Sequence, residues 1–479
     1  MALRLHTFIL LCCAAVCAAR ADSIPRAADL LTQPLPAQWN YEPQMTQTLP
    51  DGDNWWQTFG DATLDSLISR AIKSNWDAVL ATRRLELARL AVRQASTGLW
   101  PTLSASAGWD KGATSGATGK TVTSPAGYSQ FAAGIDMNWE IDVFGRVAAK
   151  RKLAKADLSV SEADYDAVLV SLCANLAKSY VTLRLCQAQM AVATAHIARQ
   201  RHVMEIAEAR FDCGLASMLD VTQARIVLYS TQASVPALEA QMKNAANSIA
   251  ILCGSYPQEL GISLDAPADS TTILPDPFHN VAQTGVPADL LRRRPDVVEA
   301  ERQLAAYAAA VGVAKKDFLP VLSLTGSIGT SARRAGNLFT KDSFSWEVAP
   351  QLSWTIFDGL ARNLDVAEAR LNLETGTDNY NLTVMNAWNE TQAAMNTYTA
   401  ALEAMTMDRD VVTQCSKELD LSLDLYKRGL TDFTNVADAQ MNYLTYQNSY
   451  LSERASALQS LITLYEALGG GYPDSAAIP

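Results

Sequence analysis

The sequence is written twice. Residues 75 to 100 reappear near residues 294 to 319, and the prolines that open two similar strand-like runs, Pro101 and Pro320, stand 320 − 101 = 219 apart. Further on, Trp139 matches Trp354, Gly214 matches Gly429 and Val221 matches Val436, each pair 215 apart (354 − 139). A period of this length is far beyond a solenoid unit. The chain is two fused copies of one large module, so its fold must suit a unit and its near twin.

Each copy runs in the same order: a helix, two alternating strands, a very long helix, a Gly-Leu break and another helix. In the first copy Phe131, Ala133, Ile135, Met137, Trp139, Ile141 and Val143 recur at every second position, and Leu103, Ala105, Ala107 and Trp109 give the partner strand. In the second, Phe344, Trp346, Val348, Pro350, Leu352, Trp354 and Ile356 follow Leu322, Leu324, Gly326 and Ile328. The Gly-, Ser- and Thr-rich stretches Lys111 to Ala126 and Thr330 to Asn337 suit hairpin loops. Four strands cannot close a barrel, and an open ribbon with tryptophans on its outer face leaves unpaired edges. Either a partner closes the sheet, or two hairpins pack on helices in a soluble α+β protein. Alternation alone does not choose between them.

The helices do. From about Gly145 to Cys213, and again from about Gly359 to Arg428, there is no proline and almost no glycine. A helix of that span is about 100 Å long at about 1.5 Å per residue, far beyond the usual globular helix. A seam with spacings of three and four runs through Tyr180, Leu183, Gln187, Met190, Thr194, Ile197, Arg201, Met204 and Phe211. Its counterpart is Met395, Tyr398, Leu402, Met405, Arg409, Val412, Ser416, Leu419 and Tyr426. Such seams call for laterally packed, supercoiling helices.

The net charge of −11 argues against a nucleic-acid partner, which would call for a basic face. Residues 1–21 read as a secretory signal, with an apolar run from Phe8 to Cys17 and cleavage after Ala19-Arg20-Ala21. No later stretch holds 18 apolar residues in a row, so a membrane span has to come from strands. Beyond the signal, Cys173, Cys186, Cys213, Cys253 and Cys415 are an odd set, read as unpaired core or interface thiols. No P-loop, nucleophile elbow or HExxH motif occurs. His196, His202 and His279 are too scattered for a metal site, so no catalytic, cofactor or metal residues are expected.

Several motifs resemble the outer-membrane channel proteins of tripartite efflux pumps, the TolC and OprM (NodT-type) family. They are the run from Val286-Pro287-Ala288-Asp289 through Arg292-Arg293-Arg294-Pro295-Asp296-Val297, Trp55-Trp56 with Phe59-Gly60-Asp61 and Leu64, and Phe318-Leu319-Pro320. Trp354 with Phe357-Asp358-Gly359 and the late Leu468-Gly469-Gly470-Gly471 complete the set, in order along the mature chain. The resemblance implies an α+β membrane protein: a homotrimer giving four strands per chain to a twelve-stranded transmembrane β-barrel, continued by an α-helical coiled-coil periplasmic tunnel. It implies a periplasmic adaptor, an inner-membrane pump and outer-membrane lipid as partners. The implied role is a passive exit duct for small molecules in an efflux pump of the resistance-nodulation-division type, in the outer membrane and extending into the periplasm. An exit duct for type I protein secretion, or a coiled-coil scaffold with no pore, is the alternative.

The expected organisation is a signal over 1–21, a first repeat over 22–253, an equatorial linker over 254–286, a second repeat over 287–472 and a tail over 473–479. Within the repeats, strands are expected near 102–110, 128–143, 321–329 and 343–356, long helices over 145–213 and 359–428, and return helices over 216–252 and 431–468. Neither Cys13 nor Cys17 is preceded by the small residue that lipidated members of the family carry, which favours cleavage after Ala21. The Arg292 to Arg294 run reads as a solvated or interface face.

The two Gly-Leu breaks are the expected functional tips, because glycine permits the left-handed conformation that ends a helix. The resemblance makes Gly214, Leu215, Gly429 and Leu430 adaptor contacts. It also makes Asp220, Tyr426, Asn435 and Asp438 a pore gate in which Asp220 bonds Tyr426. Where family members carry two aspartates three residues apart, this chain has Asn435 and Asp438, so one ring of carboxylates becomes amides and like-charge repulsion weakens. The arginine that some members use to hold the tip closed is matched here by Thr431. The plainer alternative is that Asp220 and Asp438 are solvated residues stabilising helix starts.

Overall fold

The computed structural model describes residues 52–114, 126–261, 274 and 293–470. The signal, most of the expected linker and the tail lie outside them. The elements run α1 (Ala62–Ser74), α2 (Trp76–Thr97), β1 (Thr102–Thr114), β2 (Ala126–Ile141), α3 (Arg146–Asp212), α4 (Met218–Leu252), α5 (Pro295–Lys316), β3 (Val321–Ala332), β4 (Phe344–Ser353), α6 (Ala361–Lys427) and α7 (Phe433–Ala467). The twinning extends to length: α2 and α5 have 22 residues each, α3 and α6 have 67, and α4 and α7 have 35. At about 1.5 Å per residue the long pair are about 100 Å each.

One compact unit contains residues 92–156 and 301–381. Its sheet is antiparallel in the order β1-β2-β3-β4, so β1 and β4 keep open edges. Strand β1 continues through Lys111 to Thr114, beyond the expected loop boundary, because Lys111, Gly112, Ala113 and Thr114 find partners in Ser129, Tyr128, Gly127 and Ala126. Where strands give way to helices, arginines fasten the crossing. Arg146 pairs with Glu140 at 2.5 Å, while Arg362 pairs with Asp358 at 2.5 Å and lies over the Phe318 ring. Asp142 accepts the backbone N–H groups of Val147 and Ala148, capping α3.

The second unit contains residues 35–91, 157–300 and 382–479, of which 52–91, 157–261, 274, 293–300 and 382–470 are described. Its core gathers Leu169, Leu176, Leu183, Ile249, Leu458, Leu461 and Ile462 from α3, α4 and α7, with Trp55 stacked on Tyr465 at 5.1 Å. Asp61 accepts from Tyr180 at 2.5 Å and pairs with Arg184 at 3.2 Å, tying the Trp55-to-Asp61 segment to α3. An 18-residue window of α3 is apolar enough to cross a membrane, but 56% of it is buried in the protein, as befits a core helix.

Two expectations need correction. Arg294 is not on a solvated face: it is buried, donates to the Ala467 carbonyl at 2.8 Å and pairs with Asp296 and Glu390. Arg293 is exposed, and Arg292 lies outside the described residues. Along the far part of α3 the buried stripe is Ala193, His196, Gln200, Val203 and Ala207, one position before the expected Thr194, Ile197, Arg201 and Met204. Spacing set the period, but the larger side chains drew the phase to the wrong row. In α6 the expected Met395, Tyr398, Met405, Leu419 and Tyr426 are buried, whereas Arg409 is exposed. Of the five cysteines, Cys213 is exposed and the other four are buried free thiols.

Candidate functional site

Both long helices end the same way. Gly214 and Gly429 take φ of +74°, a left-handed conformation that an L side chain resists. The Leu215 amide donates to the Arg210 carbonyl at 2.8 Å and the Gly214 amide to that of Phe211 at 2.9 Å. Leu430 and Gly429 repeat the pattern on Leu425 and Tyr426, at 3.0 and 2.9 Å. These paired bonds satisfy the last helical carbonyls and let the chain reverse in a few residues. With backbone filling the turn, Leu215 and Leu430 point outward, 68% and 70% exposed.

The next helices start unequally. Ser217 caps α4: its Oγ accepts the Asp220 amide at 3.3 Å and donates to Asp220 Oδ1 at 2.6 Å. Asp432 makes no side-chain cap bond on α7. There Asn435 donates to Thr431 Oγ1 at 2.5 Å. Asn435 and Asp438 are exposed, one turn apart on the same face.

Between the tips the structure joins Asp220 and Tyr426: the Tyr426 hydroxyl donates to Asp220 Oδ2 at 3.2 Å. Tyr426 is buried, edge-on to Phe433 at 5.2 Å, in a small core with Val203, Ala207, Ala224, Val227 and Val436. Burial, with Asp220 beside it, pushes the Tyr426 hydroxyl up to about 12, so it stays a donor. Asn435 and Asp438 stand outside this contact.

Sequence reasoning missed Arg210. Its guanidinium lies 4.9 Å from the Tyr426 ring centroid, donates to the Lys427 carbonyl at 2.7 Å and reaches the Leu215 carbonyl at 3.3 Å, pinning each tip to the other. This supplies an arginine at the tips, from the first copy's helix end and not from position 431, which is threonine. The signal was present: Arg210 matches Leu425 across the repeat (425 − 210 = 215), one of the places where the copies differ in charge.

In the sheet unit, register sorts the side chains by polarity. One face carries the row Ser104, Asp136, Ser327 and Glu347, followed by Thr102, Asn138, Thr325 and Ala349. The other carries Ala105, Ile135, Ile328 and Trp346, then Leu103, Met137, Gly326 and Val348. Phe131 to Ile141 spans about 34 Å along β2, or about 26 Å at a barrel tilt near 40°, which suits the apolar band of an outer-membrane barrel. Near the helix end, Trp139 donates to the Leu99 carbonyl at 3.1 Å and its twin Trp354 to that of Phe318 at 3.0 Å.

A sheet with one polar and one apolar face, open edges and very long helices ending in Gly-Leu turns is the architecture of an outer-membrane channel protein. The chain belongs to the outer membrane efflux protein family, whose model matches residues 67–255 and 286–470, one block on each repeat. It is 29% identical to the pyoverdine export outer membrane protein OpmQ of Pseudomonas aeruginosa PAO1 over 441 residues, 91% of each chain. It is 30% identical to the solvent efflux pump outer membrane protein SrpC of Pseudomonas putida over 419 residues, 86% of each. Among solved structures, the outer-membrane channel OprN aligns with a TM-score of 0.78 and 29% identity, over 94% of this chain and 96% of that one. CusC, whose structures describe transmembrane channel formation, aligns with a TM-score of 0.77 and 25% identity, over 91% and 99%. The fold class is therefore that of trimeric channels with four barrel strands per chain and a coiled-coil tunnel, and the protein is an outer-membrane efflux component with periplasmic helices.

Proposed function

We propose that this chain is the exit duct of a tripartite efflux pump of the resistance-nodulation-division type. Three identical copies pair β1 of one with β4 of the next, closing twelve strands around the polar face and covering edges that would otherwise aggregate. The Gly214-Leu215 and Gly429-Leu430 turns dock a periplasmic adaptor that connects the duct to an inner-membrane pump. Asp220 and Tyr426 hold the tip closed, while Asn435 and Asp438 line its entrance. The duct performs no chemistry and supplies a water-filled path for small organic solutes, the class to which the cargoes named for the two relatives belong.

The observation that carries this reading is the Tyr426–Asp220 hydrogen bond, between tips that each present an exposed leucine beside a left-handed glycine. Single-channel conductance in planar bilayers tests it. Tyr426→Phe and Asp438→Ala should leave trimers intact, the first raising open probability and the second conductance or cation preference. Unchanged currents from both variants would reject the gate. Gly429→Glu should abolish export from cells with normal amounts of protein in the outer membrane, and export that persists would remove the docking role.

A further inference from the structure

The membrane-facing side of the sheet changes character at the end away from the helices. Register orders this face outward from Ala105, Ile135, Ile328 and Trp346, through Ala107, Ala133, Thr330 and Phe344, to Trp109, Phe131 and Ala332. The Trp109 and Phe131 rings stack at 5.9 Å, and the Trp109 indole donates to Ser129 at 2.9 Å. In the next row Lys111 pairs with Ser129. Strand β3 ends at Ala332, and the chain bends at 333 and 334 into the β3–β4 connection, with Arg334 at φ −126°, ψ 137°. Lys111 therefore stands just outside the aromatic row, and Arg334 follows Ala332, the last paired residue of β3 in that row, by two positions.

The β3–β4 connection, residues 333–343, builds on that row. It folds into two short turns, Ala335–Asn337 and Lys341–Ser343, locked by buried Ser343, whose Oγ lies 2.6 and 2.7 Å from the Leu338 and Thr340 carbonyls. This platform holds Arg333, Arg334 and Lys341 exposed, together with Phe339 at 84% exposure. Asp342 is its only acid, giving 3 − 1 = +2 in a chain whose net charge is −11. An exposed phenyl ring in a cationic connection, between strands whose outer rows carry Phe131, Trp109 and Phe344, is costly in water and favourable at a charged membrane rim, where guanidinium groups bind phosphate in two-pronged fashion.

Strands β2 and β4 lead into α3 and α6 at their other ends, so this rim faces the outer leaflet. That leaflet is built from a saccharolipid whose sugar carries phosphate groups. We propose that Lys111, Arg333, Arg334, Lys341 and Phe339 form a docking surface for the phosphorylated sugar of outer-leaflet lipopolysaccharide. Cations clamp the phosphates and Phe339 lies against the first acyl carbons.

Native mass spectrometry of the assembled full-length protein, titrated with lipopolysaccharide, enzymatically dephosphorylated lipopolysaccharide and phosphatidylglycerol, tests the proposal. Lipopolysaccharide should bind about tenfold or more tightly than its dephosphorylated form, with the same loss in the triple variant Arg333→Gln, Arg334→Gln, Lys341→Gln. Should that variant fail to assemble, Phe339→Ser provides the comparison and should weaken binding about threefold, the effect of losing part of one apolar contact. Equal binding of the phosphorylated and dephosphorylated lipids would overturn the assignment. So would phosphatidylglycerol binding as tightly as lipopolysaccharide, or unchanged binding by the variants.

Discussion

At residue 360 the second copy places a leucine in a left-handed backbone conformation where the first copy has glycine. Gly145 and Leu360 are twins (360 − 145 = 215), and both take φ of +74°. Glycine accepts that conformation freely, whereas leucine is strained by about 1–2 kcal/mol. Leu360 is 59% exposed, so little burial in the protomer offsets the strain. Leu360→Gly should therefore stabilise the protein by about 1 kcal/mol after the entropy cost of an added glycine, read as a higher denaturation midpoint; a lower midpoint would show that the leucine is held by contacts between copies. The tip obeys a different residue-level rule. Because the folded Tyr426 hydroxyl is raised to about 12 from an ordinary value near 10, its bond to Asp220 contributes fully below about pH 10 and is lost as pH climbs through the folded value. The Tyr426 hydroxyl therefore does not titrate between about pH 5 and 8.

Among elements, α3 and α7 meet through a polar layer that contains a buried histidine. Buried His196 lies 2.9 Å from Gln447 Oε1 and 5.0 Å from the Tyr443 ring, which also has Arg199 over it at 5.7 Å. Burial depresses the imidazole below its usual value; the Gln447 hydrogen bond opposes it, and the nearby Arg199 charge adds a smaller push in the same direction as burial. A folded value below the unfolded one means the unfolded chain binds the proton first, so stability falls as pH drops below about 6.5. His196→Gln should flatten the dependence of melting temperature on pH between about 7.5 and 5, and an unaltered slope would assign it to other groups. In the sheet unit, Gly376 sits inside the continuous helix α6 at a point where a Cβ would lie 2.6 Å from the Tyr307 ring. Gly376→Ala, which in an open helix gains about 1 kcal/mol, should here lower the denaturation midpoint, with Tyr307→Ala relieving the loss. Such features mark where sequence reading ended. Helix order and the long-helix period were legible because Trp139 and Trp354, or Gly214 and Gly429, repeat at one offset. The phase of α3 was not, since Ala193, Gln200 and Ala207 are small or polar and owe their burial to neighbours far along the chain. Arg294 was misread for the same reason: its partners Glu390 and Ala467 lie 96 and 173 residues away. Arg210 was not legible because its twin is the apolar Leu425, and its partners, the Tyr426 ring and the Lys427 carbonyl, lie 216 (426 − 210) and 217 residues away.

At the scale of the whole molecule, the sheet is stable only where each face meets its own solvent, and adjacent residues of one strand report on the two faces. Ile328 is half exposed in the protomer, in the middle apolar row with Ile135 and Trp346, where the family's fold places lipid. Ser327, its neighbour, sits between Asp136 and Glu347 on the wet face. A lysine at 328 has to be carried into hydrocarbon at a cost of about 2–4 kcal/mol per copy, a penalty incurred three times in a closed trimer. At 327 the same lysine meets water and two carboxylates, and its charge is screened and partly paired. Ile328→Lys should therefore empty the outer membrane of assembled protein, whereas Ser327→Lys should assemble normally and shift ion preference away from cations in planar bilayers. If both variants assemble alike, the assignment of faces is wrong, and with it the barrel. If both fail, the strand tolerates charge on neither side, which a protein packed between two layers of helices would require and a duct would not.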